Sequence, residues 1–445
     1  MNSIKDSFQT LRQYPSALMG ILVVLGLVAL AAYAMISIPY DEAIRLWRGG
    51  EEVWYQNPKF APPAWINLFS SKKYSESFSA RTTDGSMSRE VTPGVEGTST
   101  IAISYAFDFS SDYYPQEMLV YFTSKYAEKQ PFISAEWITP DGRTVRIANM
   151  SVSQKQTYRF AQDDKLKTRL RTEDVIPALF SDPETGEPLK GRYQLLITGT
   201  TFEPGSDVDV EFVFHGQVYG LAGTDQQRRD LVVPLLWGAP VALAFGLIAS
   251  LGTSVLTMVI AALGTWYGGW VDELIQRVTE INLVLPFLSI LIMIGTFYSR
   301  SIWVILSATI LLSIFTGSIK GYRAVFMQVK ESMYIEAARA YGASGSRIVF
   351  LYLIPRMIPL LIPGLVSSVP AFVFLEASLA VLGLGDPVLP TWGKIIEDAN
   401  SNGALYRGYY YWILEPAALL MLTGLGFAML GFALDRIFNP KLRDA

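Results

Sequence analysis

Between Ala17 and Ile38 the chain runs through 22 residues without a charge. A helix of that length rises about 33 Å, enough to cross a hydrocarbon core of roughly 30 Å. A segment that is apolar on every side belongs in lipid or in the centre of a large protein. Apolar composition returns at Leu231 and lasts nearly to the C-terminus. It predicts five further spans, roughly at residues 234–265, 279–298, 302–322, 357–384 and 412–435. The first of these is long for one crossing, so it is expected to tilt or to extend past the bilayer. A cleaved signal peptide is the alternative for the first run, on the small-x-small pattern of Ala32-Tyr33-Ala34. The run exceeds the ~7–15 residue core of such a signal.

The part between the first and second spans has a different composition. Residues 71–220 hold 37 charges in 150 positions, whereas the other 295 residues hold 39. A quarter charged is ordinary for a domain in water, and an eighth is not. One chain thus joins an aqueous domain to a lipid-embedded one. The net charge of −4 gives no basic field for nucleic acid. With no cysteine, the chain has no disulfide, thiolate metal site or cysteine nucleophile. Its one histidine, His215, rules out a histidine metal cluster. It is expected on the exposed face at the end of a strand.

Six spans put both termini on one side. Lys5 and Arg12 precede the first, and Asp41 and Glu42 follow it. Lys320, Arg323, Lys330, Arg339, Arg347 and Arg356 cluster in the fourth-to-fifth connection, and Arg436, Lys441 and Arg443 follow the last span. The opposite connections offer few cations: Arg300 in one, Lys394 and Arg407 in the other. The positive-inside rule then predicts cytoplasmic termini in the cell membrane, and an aqueous domain outside.

That domain reads as strands. Ile101, Ile103, Tyr105, Phe107 and Phe109 alternate with smaller or polar residues, as do Tyr193, Leu195 and Ile197, and Val208, Val210, Phe212 and Phe214. Period two marks a sheet with one buried face. Ile133–Trp137 and Thr144–Ile147 flank Pro140-Asp141-Gly142, a hairpin turn, and further breakers stand at Pro183–Gly186 and Glu203–Gly205. About seven strands at this spacing predict an antiparallel β-sandwich, with Lys165–Asp174 as a short helix or charged loop. Asn149-Met150-Ser151 matches the glycosylation sequon, a pattern short enough to arise by chance.

The basic connection, about 332–356, is the most informative loop. Ser332 is placed to cap a helix running to about Tyr341, in which Ala337 and Ala338 keep one face thin. Gly342 can take positive φ and end it. Ser344 would start a second helix, bent by Pro355 where it enters the membrane. The pattern Glu336-Ala337-Ala338-x3-Gly342-x11-Ile354-Pro355 resembles the EAA loop of ABC importer membrane subunits, departing from it at Tyr352. The resemblance implies a coupling helix seated in a cleft of an ATPase subunit.

Three further stretches narrow the resemblance to dipeptide/oligopeptide permeases of the DppC/OppC type. They are Gly223-Thr224-Asp225 with Arg229-Asp230 before the second span, Leu285-Pro286-Phe287 in the third, and Leu382-Gly383-Leu384-Gly385 with Pro390-Thr391-Trp392-Gly393 after the fifth. Together they imply a type I importer fold of six transmembrane helices. Pro62-Pro63 and Trp65 resemble the start of a short family segment whose end is Gly223-Thr224-Asp225. The strand-rich block of about 67–220 therefore reads as an insertion into one external loop. Closure entropy grows slowly with loop length, so such an insertion is tolerable. The expected division is 1–46 for the N-terminus and first span, 47–220 for the β-rich domain, and 221–445 for a five-helix core.

The chain has no G-x4-G-K-[ST] phosphate loop, so it should not hydrolyse ATP itself. The resemblance implies that ATP and Mg are bound by two separate ATPase subunits. It also implies a homologous second membrane subunit, and a binding protein that delivers peptides or related solutes, oligosaccharides among them. The competing reading is a membrane-anchored receptor or assembly protein acting through residues 67–220. Glu376, inside the fifth span, is either a path or gating group or a structural carboxylate bonded to a neighbouring helix. Arg277 and Glu280 should pair locally, Asp272 and Glu273 should be loop surface, and Glu415 should sit at the outer interface. Trp266, Tyr267 and Trp270, and Tyr409–Trp412, read as interfacial belts. Trp54, Tyr55 and Trp65 are candidates to touch a sugar or a docked protein.

Overall fold

A computed structural model describes residues 15–95 and 97–438. Lys5, Arg12, Lys441 and Arg443, part of the charge argument, lie outside the described residues. The chain divides into two compact units. One joins the residues up to Arg48 with those from Val233 onward, and the other is Gly49–Val232. The Gly223–Asp230 segment thus belongs to the second unit, not to the helical one.

The helical unit opens with α1 (Pro15–Ser37) and the short α2 (Tyr40–Arg48). After the second unit come α3 (Val232–Tyr267), α4 (Gly269–Val284), α5 (Phe287–Phe297), α6 (Ile302–Ile314) and α7 (Gly317–Lys330). They are followed by α8 (Met333–Ala340), α9 (Gly345–Leu384), α10 (Trp392–Ser401) and α11 (Tyr411–Phe438). Four of these, α1, α3, α9 and α11, are long and apolar enough to cross a membrane, and the count reaches six if each of two bent pairs is one span. The 36 residues of α3 extend about 54 Å, well beyond a bilayer core.

The predicted third and fourth spans are not continuous helices. α4 and α5 meet at 80° across Leu285-Pro286, and α6 and α7 meet at 48° across Phe315-Thr316. Pro286 has no N–H to give a continuing helix, and it holds Leu285 in extended conformation with ψ 136°. By contrast, Pro355 does not break its helix. A wide π turn at Val349–Leu353 precedes it, which removes the need for the hydrogen bond that proline cannot donate.

First and last helices touch through glycine. A Cβ on Gly20 would come within 2.8 Å of the Leu430 nitrogen, and one on Gly426 within 2.7 Å of Val23. Small residues permit this backbone approach, the usual basis of helix pairing where lipid removes the hydrophobic drive.

The second unit is an antiparallel sandwich of nine described strands, two more than the alternation predicted. One sheet has the order β1-β9-β4-β7, with β1 Phe78–Arg81, β4 Glu117–Lys125, β7 Lys155–Arg159 and β9 Asp207–His215. The other runs β2-β3-β8-β5-β6, with β2 Ser88–Pro93, β3 Ser99–Phe109, β5 Phe132–Ile138, β6 Thr144–Ser151 and β8 Gly191–Thr201. The strands that the alternation did not place are β1, β2, β4 and β7, of which β1, β2 and β7 are edge strands. The hairpin at Pro140–Gly142 forms, with Gly142 at φ +83°. Lys165–Asp174 supplies most of a short helix, Asp164–Leu170, capped by Asp163. Trp137, Tyr193, Phe180 and Phe212 lie fully buried between the sheets.

Candidate functional site

The basic connection folds into α8, which is bound to the end of α3. Ile335 is its buried anchor, packed with Ile319, Phe326, Ile348 and Leu353. Glu336 and Ala337 face outward and Ala338 is half-buried. Met333 and Tyr341, at the two ends, are 87% and 93% exposed, so this helix presents apolar groups to water. Gly342 takes φ +78° and terminates the helix, its N–H donating to Arg339 O at 2.9 Å. Ser332 and Ser344 occupy the two capping positions without accepting a backbone hydrogen bond through their side chains. The Ser332 hydroxyl donates to Val329 O instead, at 2.5 Å.

Three cations fasten this region. Lys330 donates to Thr265 O and Trp266 O at 2.8 and 3.2 Å, where the last carbonyls of α3 lack helical partners. The Arg339 guanidinium lies 4.6 Å from the Trp266 ring centroid. Arg323 makes a two-point bond to Asp272 at 2.8 and 2.5 Å. Asp272 is therefore not loop surface. It sits in the first turn of α4 as half of an inter-helix ion pair. Trp266, placed in the interfacial belt by sequence, backs the loop instead. Tyr267 and Trp270 are exposed, as a belt requires. Ile354 is buried at the start of the spanning part of α9, while Pro355 is exposed.

Gly223–Asp230 forms a closed loop in the second unit. Thr224 and Asp230 pair as an isolated bridge, and Leu231 N donates to Gly223 O at 3.1 Å. The Thr224 hydroxyl donates to Pro58 O at 2.8 Å and accepts from Ala61 N at 3.0 Å. Asp225, fully buried, accepts from Gln227 N, Arg229 N and Arg229 Nε. Burial pushes its carboxyl above the usual range, an effect that Arg229 opposes. Asp230 is raised by the same cause and accepts from Val232 N.

His215 departs from expectation. It is fully buried rather than on an exposed face, because the segments around Tyr55 and Arg228 fold over the end of β9. Its Nε2 lies 3.0 Å from Tyr55 O and its Nδ1 3.1 Å from Arg228 Nη1. Glu117 stands 3.6 Å from Nδ1. Burial pulls the imidazole below its ordinary value of 6.5, and Arg228 adds to that effect. Tyr55 is held by the Glu211 carboxylate at 2.9 Å, and Trp65 Nε1 donates to Leu221 O at 2.9 Å. Asn149 is exposed on β6.

The motif after the fifth span locks α9, α10 and α3 together. Gly383 takes φ +81° in a π turn that ends α9, and Gly385 follows in extended conformation. Trp392 is buried and donates Nε1 to Leu235 O at 2.8 Å. A Cβ on Gly393 would fall 2.6 Å from Ala377 Cα. Glu376 is buried in the same stretch of α9, and Thr391 stands at the N-cap of α10. Arg277 and Glu280 pair at 3.6 Å on the surface of α4, and Glu415 sits in the first turns of α11. Trp412, expected in a belt, is fully buried.

Sequence reading missed two positions. Asp386 accepts from Ile302 N at 2.9 Å and so caps α6 from a distant loop. Asn282 donates to the carbonyls of both Leu312 and Phe315 at 2.8 Å, satisfying groups freed where α6 breaks from α7. A polar residue inside a predicted span was the available signal for Asn282.

These features define a subunit with several membrane-spanning helices. Residues 253–444 match the family of binding-protein-dependent transport system inner membrane components. The oligopeptide transport system permease protein OppC of Escherichia coli is 30% identical over 222 residues, covering 50% of this chain and 72% of that protein. OppC of Bacillus subtilis is 29% identical over 226 residues, with 50% and 72% covered. The glutathione transport system permease protein GsiD of Pectobacterium atrosepticum is 27% identical over 225 residues, with 50% and 73% covered. The chain belongs to this family and is a permease subunit of an ABC importer. Each of these relatives is by name a transport permease, and the strand-rich unit lies outside the family match.

Proposed function

We propose that the chain forms one half of an ATP-driven path for peptides, opposite a homologous second membrane subunit. Two ATPase subunits would bind ATP and Mg, and an extracytoplasmic binding protein would deliver the cargo. The observation that carries this reading is α8: Glu336 and Ala337 exposed, Met333 and Tyr341 projecting, Ile335 pinned beneath. A short helix that exposes Met333, Glu336 and Tyr341 above a fixed base suits a cleft in a partner, and can pass that partner's motion to α3 and α9. Glu336, Ala337, Ala338, Gly342, Ile354 and Pro355 are assigned to this coupling.

In this arrangement the six spans leave both termini in the cytoplasm and the sandwich outside. Gly223, Thr224, Asp225, Arg229 and Asp230 brace the loop that returns to the membrane. Pro286 sets the break between α4 and α5, while Gly383, Gly385, Trp392 and Gly393 hold α9 to α10. Glu376 keeps both readings, a path or gating group and a structural carboxylate buried in α9. The relatives' names speak for peptides as cargo. Purification of the assembly with its ATPase subunits, followed by Gly342→Val, tests the assignment. A β-branched residue is strained at φ +78°, so uptake should fall while ATP hydrolysis and membrane insertion persist. Unchanged uptake would sink it.

A further inference from the structure

The helical unit contains a cavity of ≈ 310 Å³ lined mostly by hydroxyl-bearing residues, whose apolar atoms form the larger part of its surface. Thr253, Ser254 and Thr257 reach it from α3, Ser313 and Thr316 from the break between α6 and α7, and Ser368 from α9. Tyr322 and Phe372 also line it, and no charged side chain does so among the described residues. This is costly architecture in a membrane, where every unpaired polar group is expensive. Part of the cost is met locally. Thr257 donates to Ile314 O at 3.0 Å, and Ser368 to Leu365 O at 2.8 Å. The Thr253 hydroxyl is buried and hydrogen-bonds to no described residue.

A second observation points to the same place. The backbone is broken here, with α6 and α7 meeting at 48°. Irregular backbone at membrane depth is tolerated where it lines a cavity. The volume lies at the low end of small-ligand pockets and holds roughly ten waters or a segment about the size of a dipeptide. Opposite the break, Gly364 leaves open space where a side chain would stand.

We infer that this cavity is the subunit's contact for the backbone of a passing peptide, engaging amide groups through hydroxyls and ignoring side-chain charge. A hydroxyl both donates and accepts, so a ring of them serves N–H and C=O alike. Without a fixed charge, acidic, basic and neutral cargo meet the same partners. The inference rests on the peptide-permease reading and names how that path treats its cargo.

The test uses the full assembly in proteoliposomes, with ATPase subunits and binding protein. Uptake of Ala-Ala-Ala, Ala-Lys-Ala and Ala-Glu-Ala is measured. Loss of one hydrogen bond in Thr253→Val should raise KM for transport about threefold to tenfold, equally for all three. Gly364→Leu, whose Cβ meets no neighbouring atom, should extend into the space and stop uptake of all three while the assembly still forms. Variants that match the wild type, or a change confined to one charge class, would overturn the assignment. A wild-type assembly that takes up none of the three would instead overturn the reading beneath it.

Discussion

Trp392 lies flat against Gly238: a Cβ at position 238 would come within 2.2 Å of the indole Cδ1. The same indole donates to Leu235 O at 2.8 Å, so α10 and α3 are joined by shape and by hydrogen bond together. Gly238→Ala should therefore force the two apart, at a cost of about 1–3 kcal/mol for overpacking. Thermal unfolding in detergent should register the loss, whereas Gly364→Ala, facing open space, should leave it unchanged.

Asp225 and Arg229 form a buried ion pair at 2.5 Å. Asp225→Ala leaves the guanidinium without its carboxylate, and breaking a buried pair costs roughly 3–5 kcal/mol. Protease digestion should cut the variant near residues 223–230 at concentrations that spare the native protein.

His215 gives the sandwich a pH dependence of defined sign. Its folded pKa is depressed below 6.5, so the unfolded chain binds the proton first as pH falls. The stability contributed by the neutral ring is complete above 6.5 and is lost as pH drops from there through the folded value. Glu117, Arg228, Arg159 and Glu51 also face this corner; the carboxyl of Glu117 is held below the usual carboxylate range by His215 and the two arginines, and that of Glu51 by Lys59. Unfolding of the second unit followed between pH 8 and pH 5 should show the loss, and His215→Gln should flatten it.

Trp266 should control how firmly α8 is held. Its contact with Arg339 is of a kind that contributes about 0.5–2 kcal/mol. Trp266→Leu should speed amide exchange across residues 333–343, with no change in α11. Equal exchange in both proteins would show that Lys330 and Ile335 suffice.

Much of the fold was legible because it follows from short-range pattern. Uncharged runs marked the spans, alternation marked β3, β8 and β9, and Gly342 marked the end of α8. The family motifs were legible as strings, yet their work was not. That Trp392 meets Gly238, or that Asp225 meets Arg229 in a closed loop, depends on which surfaces come together.

The sequence by itself determined that this chain is part membrane and part aqueous, and that its fourth-to-fifth connection is basic and breaks at Gly342. Those properties belong to local composition and spacing, which act within a turn or a strand. Only the tertiary structure decided that His215 is buried, that Asp272 pairs with Arg323, and that two predicted spans are broken. It also decided that hydroxyls from α3, α6, α7 and α9 share one cavity. Each of these outcomes is fixed by segments distant in sequence that cover, charge or vacate the space around a side chain.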